Sequence, residues 1–160
     1  MTTISWSDDL SVGVHILDAD HRLLIDLIKQ FNGAVDSGQD PDRISAILNA
    51  IYDYTDFHFI REETLMKACG YEDVKAHHGV HEKLTGRMKE ICQQYAASEG
   101  ADISDGIKTF LNEWLTRHIM GHDKNYAQSM AGKEQQIAEA HRPFMRQWSI
   151  AESAEASDSI

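Results

Sequence analysis

Apolar residues recur along this chain at spacings of three and four rather than two, the signature of helices that each bury one stripe. Four such stripes follow one another. The first, His21, Leu24, Ile28, Phe31 and Val35, predicts a helix over about 19–35, with Asp18 or Asp20 placed to cap it. After the turn DSGQD, a second helix opens with Asp40 as its cap and Pro41 in its first position. It carries Ile44, Ile47, Ile51, Tyr54, His58, Glu62 and Leu65 and stops at Gly70. The third starts near Glu72, runs through Val74, His77, His81, Leu84, Met88, Ile91 and Tyr95, and ends at SEG. The fourth, capped by Asp102 or Ser104, shows Ile107, Phe110, Trp114 and His118.

Pro41 and Pro143 are the only prolines, so no residue of that kind interrupts the stretch between them. Loops of about four to six residues favour antiparallel neighbours, and no alternation of period two competes. The expected fold is all-α: an antiparallel up-down-up-down four-helix bundle, with a C-terminal helical extension. Residues 1–131 form the domain. Residues 132–160 form the extension, expected as a helix to Arg142, a short second helix after Pro143 and a disordered tail, AESAEASDSI.

Composition changes this picture little. At 160 residues the chain suits one domain with a real core, and 42% hydrophobic with 26% charged residues is ordinary for a globular protein. Fifteen basic against 26 acidic residues leave a formal charge of −11, the wrong sign for a nucleic-acid or anionic-membrane surface. No apolar run approaches the roughly 18 to 20 residues of a membrane span, and MTTISWSDDLSVG has neither a basic start nor an apolar signal core. A cytoplasmic protein is expected. Cys69 and Cys92 lie in helical patterns without C-x-x-C spacing and read as reduced, packed thiols.

The nine histidines change it a great deal. His21, His58, His77, His81 and His118 fall on the apolar stripes, and so does Glu62. An ionised carboxylate buried without a partner costs several kcal/mol, and a metal supplies the compensation. His58 with Glu62, and His77 with His81, are each four residues apart, hence only about 40° apart around a helix. Counted from the connecting loops, the polar residues of all four helices also fall at one level of the bundle, mostly to within a turn or two. A lone histidine on an apolar face is more often a hydrogen-bonded core residue than a ligand; five at one level beside a carboxylate reverse that. His15, His78, His122 and His141 lack such support and read as ordinary. Beyond His118 the spacing leaves two candidates: His122 lies about 40° away and Asp123 about 140° away on an ideal helix, with Gly121 between them able to loosen it.

The segments SVGVHILDADH, HFIREETLM, HHGVH and WLTRHIMGHD occur in this order across about residues 6–125, and together they resemble the hemerythrin family, specifically its single-domain bacterial members. The resemblance implies a four-helix bundle holding a non-haem di-iron centre with an oxo or hydroxo bridge. By position, His77, His81 and His118 would bind one iron and His21 and His58 the other, with Glu62 and Asp123 bridging both; this prefers Asp123 to His122. Asp20 departs from the pattern, since family members usually carry Gln or Glu there. These ligands leave one of roughly twelve coordination places open, on the iron with two histidines. The implied function is reversible dioxygen binding, for delivery, storage or sensing, and not catalysis, in a pocket that Phe59, Trp114 and Ile119 could line. Peroxide or nitric oxide reduction at the same centre is the alternative, and a structural bundle holding zinc or a single iron a third.

Overall fold

The structure, a computed structural model, describes residues 3–98 and 103–157, with side chains as far as Met145. A short 3₁₀ turn, Asp8–Leu10, precedes six α-helices: α1 His15–Asp36, α2 Pro41–Ala68, α3 Val74–Ala97, α4 Ser104–His118, α5 Lys124–Met130 and α6 Glu134–Ser157. One π-helical turn, Ile119–Asp123, links α4 to α5. There is no strand among the described residues, and α1 to α4 form the expected bundle, α2 packing on α1 and α3 and α1 on α4.

The local chemistry explains the helix ends. Asp40 caps α2 by accepting a hydrogen bond from the Asp42 amide at 2.8 Å, and Pro41 takes the first helical position, where its missing N–H costs nothing. At the other end Gly70 adopts φ +74°, so that its own amide reaches Lys67 O and the Tyr71 amide reaches Met66 O. Gly38 closes α1 in the same way, with the Gln39 amide on Ala34 O. Both are left-handed caps that satisfy the last carbonyls and reverse the chain in a few residues, which makes consecutive helices antiparallel.

Three local expectations are corrected. Helix α1 begins a turn early, at His15, and neither Asp18 nor Asp20 caps it. Asp18 instead binds the preceding loop, accepting from Val12 N at 2.9 Å and Ser11 Oγ at 2.5 Å, while Asp20 is buried. Ser104 is the first residue of α4 and makes no capping bond; Asp102 and residues 99–100 of SEG lie outside the described residues. The extension is one helix that passes through Pro143 and continues to Ser157, so the expected tail is helical over 151–157, with 158–160 outside the described residues. Proline forfeits one intrahelical bond, but α6 lies along α2, where Phe144 meets Phe57 edge to face at 5.8 Å. Packing of this kind outweighs local propensity.

The core runs the length of the bundle. Leu17, Leu24, Ile28 and Phe31 from α1, Leu48, Ile51 and Leu65 from α2, Met88 and Ile91 from α3 and Leu111 and Leu115 from α4 are all buried. At one level this apolar column is interrupted by charged and ionisable side chains.

Candidate metal centre

Each of the four bundle helices sends polar residues into that level. His21 comes from α1, His58 and Glu62 from α2, His77 and His81 from α3, His118 from α4, and Asp123 from the π-helical turn; all are buried. Their potential ligand atoms form two groups, Glu62, His77, His81, His118 and Asp123 in one and His21, His58, Glu62 and Asp123 in the other, with the atoms of each group within 4.8 Å of one another.

The two carboxylates belong to both groups, and each divides its oxygens between them. Glu62 Oε1 lies 3.0 Å from His77 Nε2 and 3.1 Å from His81 Nε2, while Oε2 lies 3.1 Å from His58 Nε2 and 3.8 Å from His21 Nε2. Asp123 Oδ1 lies 3.0 Å from His118 Nε2 and 3.2 Å from His77 Nε2, while Oδ2 faces His21 Nε2 at 3.2 Å.

The choice between His122 and Asp123 falls to the backbone. In a π turn hydrogen bonds run from i to i+5, so that residues five apart come to share a face. Asp123 is thereby brought under His118 with no exposed surface, and His122 is turned out to solvent. Nothing in the spacing of side chains on an ideal helix announces this turn.

Behind the cluster, further residues fix the rings. Asp20 Oδ2 accepts from His58 Nδ1 at 2.9 Å and its Oδ1 from the Tyr54 hydroxyl at 2.6 Å. Glu63 accepts from His81 Nδ1 at 2.7 Å and from the exposed His78 at 2.9 Å. With Nδ1 engaged outward, Nε2 of His58 and of His81 is left to face inward, the usual arrangement around a metal-binding imidazole. Tyr126, fully buried on α5, donates to Glu62 Oε2 at 2.8 Å. The Phe59 ring stacks on His81 with centroids 3.6 Å apart, and Phe59, Trp114 and Ile119 are all buried beside the cluster.

The residues fit a pair of metal ions. Both ring nitrogens of His21, Nε2 of His58 and both carboxylate oxygens of Asp123 are buried without a hydrogen-bond partner, and His81 Nε2 faces His118 Nε2 at 3.2 Å, two nitrogens both able to act as bases. Five imidazoles and two carboxylates form a donor set of the intermediate softness that suits iron. Without metal, protons take the cations' place. Burial opposes ionisation of Glu62, yet the His58 charge, with the ring nitrogens of His21 and His77 close by, holds it well below the usual carboxylate range. Burial likewise opposes a charge on His58 and His77, but the carboxylates raise them to about 10 and about 9.

Residues 12–128 match the model of the hemerythrin HHE cation binding domain. The chain belongs to the hemerythrin family. Among its hemerythrin relatives, the bacteriohemerythrin of Stenotrophomonas maltophilia is 35% identical over 142 residues, covering 89% of this chain and 91% of that one. The bacteriohemerythrin of Pseudomonas aeruginosa is 32% identical over 130 residues, covering 81% and 83%. A wild-type hemerythrin crystal structure superposes with a TM-score of 0.74 at 28% identity, covering 82% of this chain and 100% of that one. Family membership supports oxygen binding at a di-iron site, and the His/Glu/Asp cluster fits that site.

All seven residues singled out from the hemerythrin motifs meet in the one cluster. Of the supporting residues, only Asp20 drew notice in the sequence, as a departure from the hemerythrin pattern beside His21. Tyr126 had a signal, lying three after Asp123 and so on its face of a helix. Asp20 and Glu63 are each one residue from a ligand candidate, about 100° off the stripe, and look like surface positions.

Proposed function

We propose that His77, His81 and His118 hold one iron, that His21 and His58 hold the other, and that Glu62 and Asp123 bridge them, leaving a place for dioxygen on the iron with two histidines. The division of oxygens carries this reading: one oxygen of each carboxylate faces the three-histidine group and the other faces the two-histidine group. When bound, the iron pair supplies reversible electron exchange with dioxygen. The protein's part is to hold the donors and keep water out, with Phe59, Trp114 and Ile119 forming apolar walls.

The protein is a dioxygen-binding module and not an enzyme. In support, three ionisable groups that touch the ligand candidates are already committed. Asp20 is held between His58 and Tyr54, Glu63 between His78 and His81. Burial and the Glu62 carboxylate raise Tyr126 far above the ordinary tyrosine range, so it keeps its proton. None of these three is free to deliver protons to a reduced substrate, as peroxide or nitric oxide reduction requires. Dioxygen is the partner. No helix of the described residues is long and apolar enough to cross a membrane; the acidic sequence disfavours nucleic acid as a partner, and the protein is read as cytoplasmic. Residues 1–131 form the di-iron domain and 132–160 an appended segment.

Metal analysis of the native protein tests the assignment. About two irons per chain are expected, and zinc or a single iron contradicts it. Stopped-flow mixing of the diferrous protein with oxygen then separates binding from catalysis: a persistent oxygenated spectrum supports binding, and rapid conversion to the oxidised form with release of peroxide contradicts it.

A further inference from the structure

Helix α6 starts after the family match ends at residue 128, yet it reaches the metal centre through a short series of contacts. The Arg61 side chain on α2 is only 12% exposed. Its guanidinium lies over the Phe57 ring at 4.5 Å and faces Phe144 of α6 at 5.7 Å, and the two rings meet edge to face. Arg61 Nε sits 3.4 Å from Asp20 Oδ2, an ion pair without hydrogen-bond geometry. That same oxygen accepts from His58 Nδ1. The order of contact is therefore Phe144, Arg61, Asp20, His58.

We propose that α6, through Phe144, holds Arg61 against Asp20 and so sets how strongly His58 donates to the iron that has two histidines. Arg61 and Phe144 are positioning residues, and the proposal rests on the assignment of His58 as a ligand of that iron. A carboxylate that draws on an imidazole N–H makes the ring a stronger donor to metal, which favours Fe(III) over Fe(II). Arg61 and the Tyr54 hydroxyl each take part of the Asp20 charge and weaken that draw. Phe144 covers the guanidinium, where an ion pair is screened less than in water. Without it, water reaches Arg61, the pair loosens, and the charge of Asp20, whose side chain is only 4% exposed, falls more fully on His58.

The test compares the full-length di-iron protein with Arg61→Gln, Phe144→Ala, Phe144→Tyr and the Arg61→Gln/Phe144→Ala double variant. The readouts are midpoint potential, the rate at which the oxygenated protein oxidises, and the visible spectrum after cobalt substitution, which reports donor strength without oxygen. Arg61→Gln is expected to lower the potential and speed oxidation ~10-fold, the lower end of effects seen when supporting residues of metal ligands are removed. Phe144→Ala moves all three readouts the same way by less, Phe144→Tyr restores them, and the double variant matches Arg61→Gln. A Phe144→Ala protein that holds two irons per chain with wild-type potential, oxidation rate and cobalt bands overturns the proposal and leaves α6 a structural cover. A wild-type protein that takes up no iron pair overturns the ligand assignment, and the proposal with it.

Discussion

Two polar clusters are buried in this bundle, and they are built on opposite principles. Asn32 of α1 and Asn112 of α4 exchange two amide hydrogen bonds at 3.1 Å, and Asn112 also accepts from the Ile4 amide at 3.0 Å and donates to Lys108 O at 2.8 Å. This cluster is closed, each donor having an acceptor within the protein. The His/Glu/Asp cluster is open: both ring nitrogens of His21, Nε2 of His58 and both carboxylate oxygens of Asp123 lack hydrogen-bond partners. Closed polar clusters stabilise and specify a fold, whereas open ones cost free energy until something else binds. The orphaned atoms mark the metal centre more clearly than the histidine count does.

Metal removal exposes that difference at its largest. Chelating the iron is expected to lower Tm on the order of 10 °C or more, because the cation that balances the buried carboxylates is lost. Scanning calorimetry of the loaded and stripped protein measures it. Glu62→Ala and Asp123→Ala each remove a bridge and are expected to lower the iron content below two per chain by elemental analysis.

The closed cluster should respond in the reverse sense. Asn112→Ala leaves Asn32 and the Ile4 amide unpaired and is expected to cost about 2–3 kcal/mol in denaturant unfolding, with iron content unchanged. Asn32→Ala, which leaves Asn112 two other partners, costs about 1 kcal/mol. Iron loss in either variant would show that the two clusters are not independent.

A smaller effect concerns pH, and it again separates the clusters, since amides do not titrate. In the metal-free protein His58 and His77 are raised to about 10 and about 9, so each binds its proton more tightly folded than unfolded. Their contribution to stability is complete below the ordinary histidine pKa near 6.5 and is lost as pH rises through 9 to 10. The Tm of the stripped protein should therefore fall over that range. At pH 7 metal uptake should release protons, about two from this pair, measurable by calorimetry in buffers of different ionisation enthalpy. A stripped protein whose Tm is flat from pH 6.5 to 10 contradicts this. The smallest change is expected for His122→Ala, which faces solvent and should leave the spectrum of the centre intact.

The spacing of apolar residues made the four bundle helices legible, and five histidines with a glutamate on those stripes made the metal level legible. Two things were hidden for physical reasons. The inward turn of Asp123 depends on a change of helix type, which is a backbone property, and only the resemblance to hemerythrin pointed to it. The supporting residues Asp20, Glu63 and Arg61 lie off the buried stripes and acquire roles through partners on another helix or across the next turn, pairings that helical periodicity does not encode. Pro143 misled because a helix in tertiary contact keeps its course where an isolated one would break.

The central claim is that two donor groups sharing Glu62 and Asp123 hold an iron pair that binds oxygen reversibly. Oxygen titration of the diferrous protein, followed by absorbance and then by removal of oxygen under vacuum, tests it most directly. The account predicts one dioxygen taken up per pair of irons and a spectrum that disappears when oxygen is withdrawn. A stoichiometry of one dioxygen per single iron, or a spectrum that persists as the oxidised form under vacuum, would contradict it.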